Sequence, residues 1–127
     1  MRCRIAIVDD SRTLRARLLA LLDELRDVEV VGTATDAPGA IALLSSAAPD
    51  VMIVDLHMPG GGMTVLEHAR RAAHAPRMVV LTAYPTDQHR RRCLDLGADL
   101  FLDKTRDLDD LPERLRALAA DQPRATA

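Results

Sequence analysis

Aromatic residues are scarce in this chain of 127 residues, which has one Phe, one Tyr and no Trp. A core without large rings must be built from Leu, Val, Ile and Ala, and the apolar share of 48% supplies enough of them for a globular protein. The length suits one domain with a real core and is too short for two.

Cysteine is also rare, since only Cys3 and Cys93 are present and they form no CxxC spacing. This pattern excludes a disulfide framework and is typical of reduced thiols in a cytosolic protein. No apolar run approaches the roughly 20 residues that span a bilayer, and the amino terminus begins a strand-like pattern rather than a signal peptide. The net charge of -2 gives no electrostatic reason to bind nucleic acid. We therefore expect a cytoplasmic protein whose partners include no membrane and, for this domain, no nucleic acid.

The sequence has instead a regular alternation of β-branched runs and helical leucine patterns. Strands are predicted at residues 4–8, 28–33, 51–54, 78–81 and 100–102. Helices are predicted at residues 13–25, 38–47, 64–73, 86–96 and 108–120. Asp36 is placed to cap the second helix, and Pro112 requires the regular turns of the last helix to begin near it. This alternation predicts an α/β fold, with a parallel sheet, right-handed crossovers and helices on both faces.

Strand composition predicts the order of the strands. The first, third and fourth strands are apolar on both faces, as expected for central strands covered by helices. The second strand carries Glu29 and Gly32 and the fifth is short, so both are predicted to be edges. An order of 2-1-3-4-5 satisfies these conditions and gives a doubly wound sheet with a switch point between the first and third strands. Ligands of such sheets bind there, beyond the carboxyl ends of the strands.

Acidic side chains stand at the predicted switch point. Asp9 and Asp10 end the first strand and Asp55 ends the third, while Thr82 ends the fourth and Lys104 follows the fifth. Carboxylates about 4 Å apart repel by roughly 4 kcal/mol at the effective dielectric of a partly buried site, so the pocket needs a positive partner. Mg²⁺ is the expected cation because it prefers oxygen ligands and pairs with phosphate.

Zinc is disfavoured because no histidine shows ligand spacing and neither cysteine joins the cluster. The histidines are His57, His68, His74 and His89. Lys104 adds a point charge for a phosphoryl oxygen, and Thr82 adds a hydroxyl donor. A carboxylate, a metal ion, an ammonium and a hydroxyl are the groups that phosphoryl transfer onto an aspartate requires.

These residues resemble the motifs of the receiver domain of two-component response regulators. The matching motifs are Asp9-Asp10, Asp55 followed by Met58-Pro59-Gly60, Thr82-Ala83, and Lys104 preceded three residues earlier by Phe101. The resemblance extends from about residue 4 to residue 120 and implies a flavodoxin-like fold of five βα units. Any one motif is weak, but all of them occur in order at the predicted strand ends.

The resemblance implies a role for each acidic residue. Asp55 would be the phosphoacceptor, taking a phosphoryl group from the phosphohistidine of a sensor histidine kinase or of a phosphotransfer protein. Asp10 and Asp55 would bind Mg²⁺ through their carboxylates and Asp9 largely through water, and the backbone carbonyl of His57 would complete the protein ligands. The implied role is that of a signalling phosphoacceptor rather than an enzyme.

The resemblance also implies a two-state switch. Lys104 would hold a phosphoryl oxygen, while Thr82, followed by Ala83, would move toward the phosphoryl group and let Phe101 turn inward. The interaction surface of the domain would change as a result.

Two further positions are informative. His57 and Tyr84 occupy variable positions that, in the family, tune how fast the acyl phosphate hydrolyses. The family lysine is usually followed by proline in a cis bond, whereas Thr105 follows Lys104 here. We expect either a trans bond with a shifted loop or a strained cis bond.

Other interpretations remain open at this point. Asp10 or Ser11 could merely cap the first helix. A phosphotransferase of the haloacid dehalogenase type also uses an aspartyl nucleophile with Mg²⁺, but it usually has a second aspartate two residues later, where this chain has Leu56 and His57 after Asp55. A receiver-like interaction module that is never phosphorylated would keep the pocket only as structure.

The expected domain limits are a receiver domain at residues 1–120 and a disordered polar tail at residues 121–127. Either the chain acts through a downstream effector protein, or it belongs to a longer regulator whose effector domain is missing from this sequence. The segment at residues 30–34 resembles receivers attached to DNA-binding domains, which fits the second arrangement.

Overall fold

The structure is a computed structural model that describes residues 2–120. Its strands are β1 (Cys3–Val8), β2 (Val28–Ala34), β3 (Val51–Asp55), β4 (Arg77–Thr82) and β5 (Leu100–Asp103). Its helices are α1 (Arg12–Asp23), α2 (Ala37–Ser46), α3 (Gly62–Ala69), α4 (Asp87–Asp95) and α5 (Leu111–Ala120), with a short 3₁₀ helix at Leu108–Asp110. The tail predicted at residues 121–127 lies outside the described residues.

The strands form one parallel sheet in the order β2-β1-β3-β4-β5, as predicted. The register places Val8 opposite Val54 and Thr82 opposite Asp103, so the carboxyl ends of the central strands lie at one edge. This arrangement confirms the doubly wound, flavodoxin-like α/β fold. It also brings the residues that follow β1, β3, β4 and β5 to the same side of the sheet.

Each face of the sheet buries its own apolar cluster, because successive side chains of a strand point to opposite faces. Ile5 and Ile7 of β1 belong to the cluster that contains the leucines of α1 and α5. Ala6 and Val8 belong to the other cluster, together with buried side chains of α2, α3 and α4. Burying a large aliphatic side chain contributes about 1.5–3 kcal/mol, so these two clusters, in which Phe101 is the one aromatic residue among those described, hold the strand ends in place.

The first two helices begin at side-chain caps. The Ser11 hydroxyl accepts a hydrogen bond from the Leu14 N–H at 3.2 Å, and the Asp36 carboxylate accepts one from the Gly39 N–H at 2.8 Å. The cap predicted at Asp36 is confirmed, and Ser11, not Asp10, caps α1. The exposed carboxylate of Asp10 is therefore free of a capping role.

Two helices have one end that differs from the prediction by three residues or more. α3 ends at Ala69 rather than near residue 73, because the residues after Ala69 that would extend its buried stripe are exposed or only half-buried. α5 begins at Leu111, directly after the 3₁₀ turn. Pro112 has no N–H, and in a longer α-helix its ring would crowd the carbonyl of Leu108. No helix within residues 2–120 is both long and apolar enough to cross a membrane.

Gly62 lets the start of α3 approach the end of β3. A Cβ atom at this position would lie 2.5 Å from the carbonyl oxygen of Asp55, a distance that real Cβ atoms do not adopt. A larger residue would therefore move either α3 or the loop that carries Asp55. The last of the three consecutive glycines thus has a packing role beside the candidate site.

Candidate functional site

The predicted polar residues meet at the carboxyl edge of the sheet. Asp9 follows β1, Asp55 ends β3, Thr82 ends β4, and Lys104 follows β5. The residues Asp9, Asp55 and Thr82 are only 1%, 3% and 0% exposed, although all three are polar. Asp10 is exposed at the mouth of the same pocket. Buried polar groups at a switch point mark this edge as the candidate site.

A shared ammonium group holds the two buried carboxylates together. The Lys104 Nζ lies 2.8 Å from Asp9 Oδ2 and 3.2 Å from Asp55 Oδ1. The Lys104 side chain is 17% exposed, so this pair of contacts is shielded from solvent. Removal of Lys104 would leave two buried carboxylates without a cation, so both carboxylates depend on this one ammonium.

Backbone groups fix the orientation of both carboxylates. Asp9 Oδ1 accepts a hydrogen bond from the Ser11 N–H at 2.8 Å, and Asp55 Oδ1 accepts one from the His57 N–H at 3.1 Å. Arg15 of α1 donates from Nη1 to the Asp9 carbonyl oxygen at 2.8 Å. No spacing in the sequence indicated the contact of Arg15, because it depends on how α1 packs beside β1.

The pocket disfavours a negative charge on Asp55 beside that of Asp9. Burial raises the pKa of Asp55, the Asp9 carboxylate raises it further, and the His57 N–H and the Lys104 ammonium partly oppose both effects. Burial alone would lower the pKa of Lys104, but its hydrogen bond to Asp9 and the charge of Asp55 outweigh burial and hold that pKa above its ordinary value. Lys104 is therefore a fixed cation, while an ionised Asp55 costs folding free energy.

The donor set fits a hard divalent cation. Asp9, Asp10 and Asp55 each offer a carboxylate oxygen, and these atoms lie within 4.8 Å of one another. Asp9 Oδ2 is buried, and its partner in this structure is the Lys104 ammonium at 2.8 Å. An all-oxygen donor set of three carboxylates is suited to Mg²⁺ rather than to zinc.

The predicted switch residues lie along one wall of the pocket. The Thr82 hydroxyl accepts a hydrogen bond from the Tyr84 N–H at 3.0 Å, and Ala83 between them is exposed. Phe101 is 8% exposed and belongs to the apolar cluster below. The resemblance implies an inward turn of this ring on switching, but the ring is already buried in this structure.

Three rings cluster at the loop that follows Asp55. The ring centroid of His57 lies 5.3 Å from that of Tyr84 and 5.2 Å from that of His89 on α4. His89 Nδ1 lies 3.3 Å from the Tyr84 carbonyl oxygen. His57 and Tyr84 were singled out from the sequence, but nothing in the spacing of the histidines indicated that His89 would join them.

The wall that carries Lys104 is built differently from the usual pattern of the resembled family. No peptide bond within residues 2–120 is cis, so the Lys104–Thr105 bond is trans. The Lys104 N–H donates to the Thr82 carbonyl oxygen at 2.9 Å, which ties this loop to the end of β4. Of the two arrangements expected for this bond, the structure has the trans form.

These observations define a class: a single doubly wound α/β domain with a buried Asp–Lys cluster and a cation-compatible acidic pocket at its switch point. A family profile described as "Response regulator receiver domain" matches residues 5–116. The chain belongs to this family. The shared motifs at the strand ends and the 2-1-3-4-5 strand order agree with that assignment.

Relatives in sequence and structure are response regulators. The chain is 30% identical to the transcriptional regulatory protein LiaR of Bacillus subtilis over 95% of this chain and 58% of that protein. It is 32% identical to the nitrate/nitrite response regulator protein NarL of Escherichia coli over 91% of this chain and 54% of that protein. Its fold matches the isolated REC domain of RcsB from Salmonella enterica serovar Typhimurium with a TM-score of 0.88 and 27% identity, covering 97% of this chain and 92% of that one.

The chain thus spans a little more than half the length of these curated relatives. The family match favours the receiver over a haloacid dehalogenase and over an interaction module without phosphorylation. The acidic cluster of Asp9, Asp10 and Asp55 is compatible with the Mg²⁺ dependence that is general among receiver domains.

Proposed function

We propose that this domain accepts a phosphoryl group on Asp55 from the phosphohistidine of a sensor histidine kinase or of a phosphotransfer protein. A carboxylate oxygen of Asp55 attacks the phosphorus atom and forms the new P–O bond. The P–N bond to the donor imidazole breaks, and the imidazole nitrogen keeps the electron pair. The role is that of a signalling phosphoacceptor which promotes only its own modification and its own hydrolysis.

The observation that carries this proposal is the position of the Lys104 ammonium. It lies within 3.2 Å of Asp55 Oδ1 and within 2.8 Å of Asp9 Oδ2, at the edge where the phosphoryl group would arrive. A fixed ammonium beside the nucleophile stabilises negative charge on a transferring phosphoryl oxygen. An ordinary structural ion pair would not need a second buried carboxylate whose ionisation costs free energy.

The metal site of the proposed reaction is formed by the acidic cluster. Asp10 and Asp55 would hold Mg²⁺ through their carboxylates, Asp9 would hold it largely through water, and the His57 carbonyl would complete the protein ligands. When bound, Mg²⁺ neutralises charge on the phosphoryl oxygens and on the crowded carboxylates. Asp9 keeps its orientation through the Ser11 N–H, so its part of the site is preformed.

The switch that follows would involve Thr82, Ala83 and Phe101. Movement of the Thr82 hydroxyl toward the phosphoryl group breaks the hydrogen bond that it now accepts from the Tyr84 N–H. Because Phe101 is already buried, we assign the main change to the segment between β4 and α4 rather than to rotation of that ring. The exposed start of α4 is then the first surface to move.

His57 and Tyr84 are proposed to set the lifetime of the acyl phosphate, since their rings contact each other at the loop that follows Asp55. The rate of phosphate loss from a His57→Ala variant tests this role. His68, an exposed histidine on α3, supplies the matched control. A rate equal to that of the wild type and of His68→Ala would contradict the proposal.

The signalling context is also proposed. LiaR is named as a transcriptional regulatory protein, and this chain matches only 58% of it. We infer that residues 1–120 form a cytoplasmic receiver unit whose output passes to an effector, either a downstream protein or a further domain of a longer regulator. DNA contact would then belong to the effector and not to this domain.

The direct test is incubation with acetyl phosphate and Mg²⁺, followed by intact-mass measurement. We expect one phosphoryl adduct on the wild type, none on Asp55→Asn, and none when a chelator removes Mg²⁺. Asp50→Asn, the same substitution at the opposite edge of the sheet, is the matched control and should keep the adduct. No adduct on the wild type would favour the interaction module, whereas sustained hydrolysis of phosphate esters would favour the haloacid dehalogenase type.

A further inference from the structure

Residues 103–107 form a small loop whose first and last residues are hydrogen-bonded to each other. The Asp103 N–H donates to Asp107 Oδ2 at 2.8 Å, and the Asp107 N–H donates to the Asp103 carbonyl oxygen at 2.9 Å. Asp103 and Asp107 are thus joined by two reciprocal hydrogen bonds. Lys104 is the second residue of this loop.

A third hydrogen bond lies inside the loop. Asp103 Oδ1 accepts from the Thr105 N–H at 2.8 Å. A proline at position 105 has no N–H and could not make this contact. Thr105, which departs from the usual pattern of the family, therefore supplies a donor, and the carboxylate of Asp103 two residues earlier accepts its hydrogen bond.

Lys104 itself is anchored by its backbone to the neighbouring strand end, through its N–H and the Thr82 carbonyl oxygen at 2.9 Å. The lysine side chain is a flexible four-carbon stem, so the place that its ammonium can reach depends on where the backbone is held. Loop closure by Asp103 and Asp107 fixes the residues on both sides of that backbone. The half-buried side chains of Asp103 and Asp107 point their charge at N–H groups, where charge-assisted hydrogen bonds are strong.

We infer that Asp107 and Asp103 are positioning residues for Lys104, and that this carboxylate-closed loop does here what a Lys-Pro loop does in other receivers. The inference rests on the proposed function, because it assigns Lys104 to the phosphoryl group. Asp107 is not among the residues assigned to the phosphoryl group or to the metal, and its contacts with Asp103 lie within the loop. Its removal should lower the rate of phosphorylation without emptying the metal site.

The experiment compares rates of Asp55 phosphorylation by acetyl phosphate at saturating Mg²⁺. Asp107→Ala removes the acceptor of the Asp103 N–H, and we expect the rate to fall about tenfold, in line with the cost of a small misplacement of a reacting group. Asp107→Asn keeps an oxygen acceptor and should recover most of the lost rate. Asp109→Ala removes the same charge from a side chain that is 90% exposed two residues later, and it should match the wild type.

A double-mutant cycle with Lys104→Ala shows whether Asp107 acts through the lysine. If it does, adding Asp107→Ala to Lys104→Ala causes no further loss, because the group that it positions is already absent. If the rate losses of Asp107→Ala and Lys104→Ala add in the double variant, the inference is overturned, and Asp107 has only a general structural role. An Asp107→Ala rate equal to the wild type would also overturn it.

Two readouts separate failure of this inference from failure of the proposed function. Stabilisation of the fold by Mg²⁺, measured as a shift in Tm, should be the same in Asp107→Ala and in the wild type, which shows that the variant keeps a folded acidic pocket. Loss of that shift would mean that the loop supports the whole pocket, and it would overturn the specific role of Asp107 in positioning Lys104. If the wild type itself takes no phosphoryl group, then the proposed function fails, and the inference fails with it.

Discussion

The two edges of the sheet use aspartate in opposite ways. At the amino edge, Asp50 precedes β3 and Asp99 precedes β5. Asp50 Oδ2 accepts from the Arg4 N–H at 2.9 Å, and the Asp50 N–H donates back to the Arg4 carbonyl oxygen at 2.7 Å. Asp99 makes the same reciprocal pair with Met78, with both distances at 2.8 Å.

At the carboxyl edge, Asp9 and Asp55 are buried and crowded. Their side chains are 2% and 3% exposed and share the Lys104 ammonium, whereas the Asp50 side chain is 42% exposed. The amino-edge carboxylates complete the backbone hydrogen bonding of a neighbouring strand, so they stabilise the fold. At the carboxyl edge, burial raises the pKa of Asp55, so the ionised form of this carboxylate carries a free-energy cost, as is usual for groups held for binding or chemistry.

The largest expected difference between the edges is in reactivity. Lys104→Ala should lower the rate of Asp55 phosphorylation about 100-fold at saturating Mg²⁺, because it removes the fixed cation at the transferring phosphoryl group. Asp50→Ala, at the other edge, should leave that rate unchanged. Quenched time courses with acetyl phosphate measure the phosphorylation rates of both variants. A smaller loss in Lys104→Ala than in Asp50→Ala would reverse the comparison.

Mg²⁺ should stabilise the protein only through the carboxyl edge. At a concentration ten times its Kd, a cation that binds only the folded state adds about 1.4 kcal/mol to the free energy of unfolding. Asp10→Asn should abolish this gain, and a chelator should reverse it. Asp50→Asn should keep the gain, and thermal unfolding with and without Mg²⁺ measures all three proteins. An unchanged gain in Asp10→Asn would contradict the assignment of the metal site.

Substitution at the amino edge should cost stability and little else. Asp50→Ala leaves the Arg4 N–H without its side-chain acceptor, and the free energy of unfolding should fall by about 1 kcal/mol. Asp50→Asn keeps an oxygen acceptor and should lose less. Urea denaturation measures the difference, and equal stability of Asp50→Ala and the wild type would show that this edge is not held by its aspartates.

Removing the charge of Asp55 should have the smallest effect, and it should raise rather than lower the free energy of unfolding. The pKa of Asp55 is raised by burial and by Asp9, so its ionised form destabilises the fold near neutral pH. Asp55→Asn should therefore be more stable than the wild type, by about 0.5 kcal/mol. The gain should shrink as the pH falls through the raised pKa toward the ordinary aspartate range, because wild-type Asp55 then becomes neutral as well. A gain that grows on acidification would contradict this sign.

The sequence predicted the sheet well because its signals are local. Strands apolar on both faces had to be central, and the first polar residues after them, Asp9, Asp55 and Thr82, had to meet at one edge. Helix ends were less certain, since the end of α3 depends on where buried contacts stop and not on a cap residue in the sequence. The last helix was predicted from residue 108, but Pro112 indicated that its regular turns begin near this proline, because the missing N–H is a local property.

The rest of the site depends on tertiary contacts that no spacing encodes. Arg15 reaches the Asp9 carbonyl only because α1 packs beside β1. His89 joins His57 only because α4 starts beside the Asp55 loop. Thr105 was recognised as a departure, but its hydrogen bond to Asp103 and the closure by Asp107 required the fold.

The central claim is that the crowded carboxylate at the end of β3 is the one that reacts. After treatment with acetyl phosphate and Mg²⁺, borohydride reduces an aspartyl phosphate to homoserine, which peptide mass spectrometry locates to a single residue. We predict homoserine at position 55, with Asp9, Asp10 and the amino-edge aspartates unchanged. Homoserine at any of those other positions, or at none, would contradict the account.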